Sequence, residues 1–236
     1  MVDQQLADRY RSVTQSVADA IASANRDANE VTTVVVTKFH PAQLVLDLIE
    51  LGARDFGENK DQEAAPKSAE VLAHGVPEHK WHFVGQLQSN KVKSVLSYAS
   101  AIHSLDRDSL LSALVKETAK KRALGSFKDV DVFIELNLTD DPERGGIQPV
   151  DLSRFATSVL ESPGVNLVGV MGVASLENRV ESDFEQIRSA SETLRSLKPE
   201  AKLISAGMSG DFATAIQYGA THLRIGTAIT GPRQYN

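Results

Sequence analysis

The chain has 236 residues, 42% of them hydrophobic, which suits one large α/β domain with an ordinary buried core. Its net charge of −6 argues against a general nucleic-acid-binding protein, because an acidic surface has no basic field to attract phosphate backbones. The absence of cysteine excludes disulfides, thiolate metal sites and a cysteine nucleophile. No signal peptide and no apolar run of roughly 20 residues is visible, so we expect a cytoplasmic protein without a membrane partner.

Helix and strand patterns alternate along the chain. Apolar runs, several of them β-branched, predict eight strands, at 31–37, 54–56, 81–84, 101–104, 130–136, 166–170, 203–205 and 222–225. Apolar residues at spacings of three and four, with helix start and stop signals, predict helices at 3–24, 41–52, 61–74, 88–98, after a cap at Asp106, 149–160, 177–197 and 210–218.

Strict β-α alternation implies a parallel sheet, and eight units predict closure into a (β/α)8 barrel. The expected architecture is therefore a TIM-type α/β barrel, formed as a single domain by residues 1–236, with an extra N-terminal helix. A doubly wound open sheet is the alternative.

Lys38 ends the first strand abruptly, in the run from Val34 to Pro41. Parallel α/β folds bind their ligands at the carboxyl ends of the strands, so a lysine at this place has two plausible fates. It extends its ammonium to solvent, or it is partly desolvated with a lowered pKa and forms a Schiff base with an aldehyde. This stretch alone favours the solvated lysine.

Two glycine-bearing loops follow the seventh and eighth strands, where barrels often hold a phosphate group. The Ser209 hydroxyl could donate to an anion, and Gly226 would let the backbone approach it closely. Each loop alone is better explained as a plain connector between a strand and a helix, with Ser209 as the helix cap in the first of them. The negative charge of Asp211 in the same loop opposes an anion unless its side chain points away. The two loops together modestly favour a phosphate site.

Arg224 alternates with Leu223 and Ile225, so its side chain is expected on the opposite face of the strand, towards the barrel mouth. A rim arginine paired with a carboxylate is an equally good explanation.

Other polar residues at strand ends carry weaker signals. Asn59 ends the second strand, where local turn hydrogen bonds explain many asparagines. His82 and His103 are expected to be satisfied histidines of the core or rim. His79 and His82 are three residues apart without an acidic partner, so no metal site is predicted.

Taken together, several motifs resemble the pyridoxal phosphate homeostasis protein family. They run in order over nearly the whole chain: Thr37-Lys38, Phe56-Gly57-Glu58-Asn59, Trp81 to Gly85, Leu87 to Lys91, His103 to Arg107, Gly207-Met208-Ser209 and Leu223 to Thr227. That family resembles in turn the N-terminal barrel of bacterial alanine racemase, the fold-type III group of pyridoxal phosphate proteins.

The resemblance implies pyridoxal 5′-phosphate (PLP) as the cofactor. It implies that Lys38 forms the internal aldimine and that Ser209, with the backbone of Gly226 and Thr227, holds the phosphate. No catalytic residue and no metal ligand is implied.

The remaining implied contacts are those of Arg224 with the pyridine nitrogen, and of Asn59 and Met171 with the rest of the cofactor. Two positions depart from the family. Arg144 stands at or near a common lysine and cannot form a Schiff base, and Lys60 replaces a common tyrosine, which adds an amine near the mouth.

The expected function is to hold PLP on Lys38 and to buffer or deliver it. PLP-dependent apo-enzymes are the candidate partners for delivery. Arginine beside the pyridine nitrogen leaves the ring unprotonated and therefore a weak electron sink. Racemases of this fold carry a further all-β domain with a catalytic tyrosine, which is not expected here, so we also expect a monomer without robust catalysis. The alternatives are a weak amino-acid racemase or related aldimine enzyme, and a barrel for another phosphorylated metabolite with Lys38 as a plain cation.

Overall fold

The computed structural model of the protein describes residues 2–125, 128–139, 141, 144–175 and 180–232. Within them, parallel strands form a closed barrel in sequence order, and the last strand pairs with the first. The strands are β1 (Thr32–Val36), β2 (Asp55–Glu58), β3 (Lys80–Phe83), β4 (Ala99–Leu105), β5 (Val130–Glu135), β6 (Val165–Met171), β7 (Leu203–Ser205) and β8 (His222–Ile225). The α-helices are α1 (Gln4–Ser23), α2 (Ala42–Glu50), α3 (Asp61–Ala73), α4 (Val92–Val95), α5 (Asp108–Ala123), α6 (Leu152–Leu160), α7 (Val180–Leu197), α8 (Phe212–Gln217) and α9 (Thr227–Thr230).

The closed barrel confirms the predicted fold class and excludes the open doubly wound sheet. The last two strands have the predicted bounds, although they are short. The second strand is longer than predicted, because Gly57 and Glu58 pair with His82 and Phe83 of β3 instead of forming a loop. The start of the helix predicted at 177–197 lies outside the described residues.

Two local predictions were wrong. The helix predicted at 88–98 is a short 3₁₀ turn followed by the single turn of α4. Asp106 does not cap α5, because Arg107 occupies the N-cap position. The Asp106 carboxylate instead accepts a hydrogen bond from the Arg107 guanidinium, Nη1 to Oδ1 at 2.5 Å.

Two apolar layers hold the barrel. The larger one fills the space between the strands and the surrounding helices, with fully buried residues such as Phe56, Leu110 and Phe155. The smaller one lies inside the barrel and consists of Ala101, Phe133, Val168 and Met171. Since this inner cluster is small, polar side chains occupy much of the remaining interior, and they form the site described below.

None of the helices in the described ranges combines the length and apolarity that a membrane span requires.

Candidate functional site

The sequence-predicted site residues meet at one end of the barrel. Val36 pairs with Gly57 of β2, and Val35 pairs with Ile225 of β8. The residues just beyond these pairs, Lys38, Asn59 and Gly226, therefore follow the carboxyl ends of three adjacent strands. In parallel barrels this end carries the ligand.

The turn that carries Lys38 is fixed by hydrogen bonds from neighbouring elements. Thr37 is fully buried; its N–H donates to the Gly57 carbonyl at 3.0 Å, and its own carbonyl accepts from Lys67 Nζ at 2.9 Å. Phe39 has a φ of 67°, a left-handed conformation that is uncommon for a large side chain, and its N–H donates to Glu63 Oε2 at 3.0 Å. Half-buried Lys38 lies between these two anchored residues. Its backbone is thus held in place.

Behind this turn lies a buried ion pair between Glu58 and Lys67. Lys67 Nζ lies 2.6 Å from Glu58 Oε1, and the exposed fractions of the two side chains are 6% and 0%. The Thr37 hydroxyl donates to the same carboxylate oxygen at 2.7 Å. Burial raises the pKa of Glu58, and the neighbouring Lys67 ammonium opposes that rise. The pair therefore connects β2 and α3 to the carbonyl that precedes Lys38.

Asn59 brings an unsatisfied acceptor to the mouth. Among the described residues, its buried Oδ1 atom has no hydrogen-bond partner. A Cβ on Gly85 would lie 2.3 Å from the Asn59 carbonyl oxygen, so only glycine lets the third strand's end approach this closely. Buried polar atoms are normally paired, so the free amide oxygen is explained by a bound ligand or an ordered water.

The loop between β7 and α8 offers free backbone donors. Ser209 is half-buried, and within the described part of the chain the N–H groups of Ser209 and Gly210 have no acceptor. The Asp211 carboxylate is held within the loop, because its Oδ1 accepts a hydrogen bond from the Met208 N–H at 2.6 Å. Gly207 has a φ of +91°, which a residue with a side chain rarely adopts. The loop therefore offers two backbone N–H donors, at Ser209 and Gly210, and it holds the Asp211 carboxylate on the Met208 N–H.

The loop after β8 lies next to β1, on the side opposite to β2. A Cβ on Gly226 would lie 3.5 Å from the Val36 carbonyl oxygen, and Thr227, the first residue of α9, is exposed. Gly226 and Thr227 thus lie beside the end of the strand that carries Lys38.

Arg224 points into the barrel and is 7% exposed. Nη1 donates to Ser205 Oγ at 2.6 Å, and Nη2 donates to the Gly172 carbonyl at 2.9 Å. Burial lowers the pKa of Arg224 to about 10, and the nearby Glu135 and Asp211 carboxylates oppose this shift. The guanidinium hence stays charged at neutral pH. Its two hydrogen bonds go to uncharged groups, unlike those of the rim arginine considered as the alternative.

Met171 ends β6 and is 2% exposed. It pairs in register with Glu135 on β5 and with Ser205 on β7, and it belongs to the small apolar cluster inside the barrel. Met171 therefore forms an apolar part of the floor beneath the mouth.

Glu135, which the sequence did not single out, lies at the end of β5. Gln86 Nε2 donates to its Oε2 at 3.0 Å. Burial and the Asp106 carboxylate raise the pKa of Glu135 to about 7, against the opposing effect of Arg224 and two further arginines. The available signal in the sequence was an acidic residue at the end of a hydrophobic strand. The sequence could not show that burial and the Asp106 carboxylate raise the pKa of this residue.

Lys60 and Arg144, the two positions that depart from the family, contact neighbouring protein groups. Lys60 Nζ lies 5.1 Å from the centre of the Phe39 ring and 3.9 Å from Glu63 Oε1. The Arg144 carbonyl accepts a hydrogen bond from Asn137 Nδ2 at 2.9 Å. Lys60 is thus an amine near the mouth that already has a carboxylate beside it.

His82 and His103 are satisfied core histidines, as expected. They are 4% and 0% exposed, and each ring nitrogen has a polar partner. Among the described residues, no group of three or more histidine, aspartate or glutamate side chains is arranged to hold a metal ion.

A known protein family matches nearly the whole chain. The family model described as "Alanine racemase, N-terminal domain" matches residues 14–234. The fold and its mouth therefore define a barrel of the alanine racemase N-terminal class.

Among curated proteins, the chain is 34% identical over 246 aligned residues to the pyridoxal phosphate homeostasis protein of Mycobacterium bovis, covering 98% of this chain and 94% of the relative. The chain belongs to the pyridoxal phosphate homeostasis protein family.

Two solved structures are similar to the chain. PipY of Synechococcus elongatus PCC7942, solved with PLP bound, is 29% identical with a TM-score of 0.78, covering 91% of this chain and 100% of that one. A protein of unknown function from Bifidobacterium adolescentis is 25% identical with a TM-score of 0.88, covering 97% of both chains.

Proposed function

We propose that this protein binds pyridoxal 5′-phosphate at the barrel mouth, holds it covalently on Lys38, and buffers or delivers it. The observation that carries the proposal is the convergence, at one barrel end, of a half-buried lysine on a fixed turn, a buried arginine and a loop with free backbone N–H groups. The names of the curated relatives and the PLP in the PipY structure support the same ligand.

The residues present fit this cofactor. The free N–H groups of Ser209 and Gly210 match the acceptor oxygens of a phosphate. A guanidinium has five N–H groups, and Arg224 uses two nitrogens on Ser205 and Gly172, so donors remain for an acceptor in the mouth. Asn59 Oδ1, which has no hydrogen-bond partner in the described part of the chain, can accept a hydrogen bond from a bound ligand.

Each residue then has a distinct role. Lys38 would hold the cofactor through its Nζ, the amine that can bond to an aldehyde. Ser209, with the backbone at Gly226 and Thr227, binds the phosphate. Arg224 would donate a hydrogen bond to the ring nitrogen. Asn59 and Met171, the other predicted contacts, would line the rest of the mouth. When bound, the cofactor supplies a masked aldehyde and a conjugated ring able to accept electrons.

Retention and release fit these residues better than turnover. With a pKa of about 10, Arg224 keeps its proton at neutral pH. A ring nitrogen held against this guanidinium would stay unprotonated, which would make the ring a weak electron sink. The second candidate is weak amino-acid racemisation or a related reaction. Glu135 favours it, because a group with a pKa of about 7 near the mouth can exchange a proton at neutral pH.

The test of the proposal is the visible absorption spectrum of the purified protein with PLP, followed by borohydride reduction and peptide mapping. We expect a visible band and a modification on Lys38. Lys38→Ala should lose the band and keep the fold. Lys60→Ala is the matched control, because Lys60 is 55% exposed and lies near the same mouth.

A protein that stays colourless with added PLP would overturn the proposal and leave a barrel for another phosphorylated metabolite. A band that persists in Lys38→Ala would place the Schiff base on another lysine. Racemisation of amino acids by the loaded protein, lost in Glu135→Gln, would favour the second candidate. The monomeric state, the cytoplasmic location and transfer to apo-enzymes stay predictions.

A further inference from the structure

A continuous line of hydrogen bonds crosses the barrel interior below the mouth. It starts at Arg224, whose Nη1 lies 2.6 Å from Ser205 Oγ. Ser205 Oγ lies 2.7 Å from His103 Nδ1, and His103 Nε2 lies 2.9 Å from His82 Nδ1. His82 Nε2 then lies 3.0 Å from Asp55 Oδ1, at the opposite end of the barrel. We call this line, from Arg224 through Ser205, His103 and His82 to Asp55, the interior chain.

The two ends determine the direction of the first and the last hydrogen bond in the interior chain. A guanidinium can only donate, so Ser205 Oγ accepts from Arg224 and its hydroxyl proton is available for His103 Nδ1. An ionised carboxylate can only accept, so His82 donates from Nε2 to Asp55. Burial raises the pKa of Asp55, but the hydrogen bond that its carboxylate accepts from His82 opposes this effect, and the net shift of the pKa is downward. Asp55 is therefore ionised at neutral pH.

With the proton on Nε2 of each ring, every hydrogen bond of the interior chain has one donor and one acceptor. The alternative, a proton on Nδ1 of each ring, would direct the unprotonated His82 Nε2 at the Asp55 carboxylate. Burial and the neighbouring His82, His222 and Arg224 keep the pKa of His103 well below its usual range. The stacked Phe133 ring, 4.2 Å between centroids, fixes the plane of the His103 ring.

We infer that Ser205 and His103 are positioning residues: the interior chain fixes the Arg224 guanidinium so that its remaining N–H groups face the barrel mouth. Ser205 contacts Arg224 directly, and His103 keeps the Ser205 hydroxyl turned so that its lone pair faces the guanidinium. Aligned hydrogen bonds polarise one another in a low-dielectric interior, so each link strengthens the next. The consequence for ligand binding rests on the proposed function.

The first experiment determines the imidazole tautomers of the ligand-free full chain by two-bond ¹H–¹⁵N NMR. We expect His82 and His103 to carry their protons on Nε2 at pH 7, and His103 to stay neutral at pH 5. In Ser205→Ala, the ¹⁵N resonance of His103 Nδ1 should move towards that of a ring nitrogen without a hydrogen bond. A proton on Nδ1 of His103, or an unchanged resonance in the variant, would overturn the inference.

The second experiment compares PLP dissociation constants of Ser205→Ala and Ser104→Ala. Ser104 is a matched control, because it is also fully buried in a barrel strand while its Oγ has no partner among the described residues. We expect about 3- to 10-fold weaker binding in Ser205→Ala alone, the effect of one ordinary hydrogen bond. Equal constants would overturn the positioning role. If the unaltered protein does not bind PLP, the proposed function is wrong, and the NMR result still decides the interior chain.

Discussion

The buried ion pair behind Lys38 offers a sharp test of what holds the site in place. In Lys67→Met the ammonium disappears, and the Glu58 carboxylate, whose side chain is fully buried, loses its charged partner. Breaking a buried pair in this way costs about 3–5 kcal/mol of unfolding free energy, because an uncompensated charge stays in the interior. Thr37 also loses the hydrogen bond that its carbonyl accepts from Lys67. We expect this loss at pH 8.

The cost should shrink in acid. Burial already raises the pKa of Glu58, and removal of Lys67 removes the opposing effect. A carboxyl group whose pKa is higher in the folded state than in the unfolded state binds a proton preferentially when folded, so stability falls as the pH rises through that interval. As the carboxyl binds its proton in acid, the remaining cost is mainly that of the lost hydrogen bonds, worth about 1–2 kcal/mol.

Urea unfolding followed by fluorescence of Trp81, the single tryptophan, measures both values. In Glu58→Gln/Lys67→Met the uncompensated charge is absent, so much of the stability at pH 8 should return. Lys120→Met is the exposed control, since the Lys120 side chain is 57% exposed in its pair with Glu117, and it should change stability by less than about 0.5 kcal/mol. A loss below about 1 kcal/mol in Lys67→Met, or an equal loss at pH 5 and pH 8, would refute this reasoning.

Two further predictions concern the phosphate loop and acid stability. Ser209→Ala should raise the PLP dissociation constant about 10-fold or more, because a hydrogen bond to a charged group is worth about 1.5–3 kcal/mol; an unchanged constant in a binding titration would remove Ser209 from the site. Burial lowers the pKa of His222 from 6.5 to about 4, so its contribution to stability is complete above pH 6.5 and is lost as the pH falls towards 4. His222→Gln should flatten this acid-side decline by about 3 kcal/mol at most in urea titrations, and an unchanged pH slope would contradict the assignment.

The fold was largely predictable because it depends on local patterns repeated along the chain. β-Branched runs such as 130–136 alternate with helical periodicity, and eight such units lead to a closed barrel. The errors occurred where a tertiary contact overrides a local signal. Gly57 and Glu58 belong to β2 because they pair with β3, whereas the sequence around them is typical of a turn. Asp106 has the side chain of a helix cap, but it accepts a hydrogen bond from Arg107 instead.

The candidate site was predictable to a different degree for different residues. Lys38, Ser209 and Arg224 follow from strand ends and the family resemblance, and the structure places them at one mouth. Ser205 was missed, because a serine between two apolar residues in a short strand looks like any other strand residue. Glu135 was missed as well, since its raised pKa depends on burial and on Asp106, which is 29 residues away in sequence.

The sequence by itself determined the order and kind of most elements, the end of the barrel at which a ligand is expected, and the family. These properties follow from residue patterns and motifs along the chain, which can be identified without any knowledge of long-range contacts. Only the tertiary structure decided which polar groups satisfy one another. His82 and His103 are 21 residues apart, and His103 and Ser205 are 102 apart, yet closure of the barrel brings each pair within hydrogen-bond distance. Burial then fixes the protonation states of these groups, because the low-dielectric interior penalises every charge without a partner.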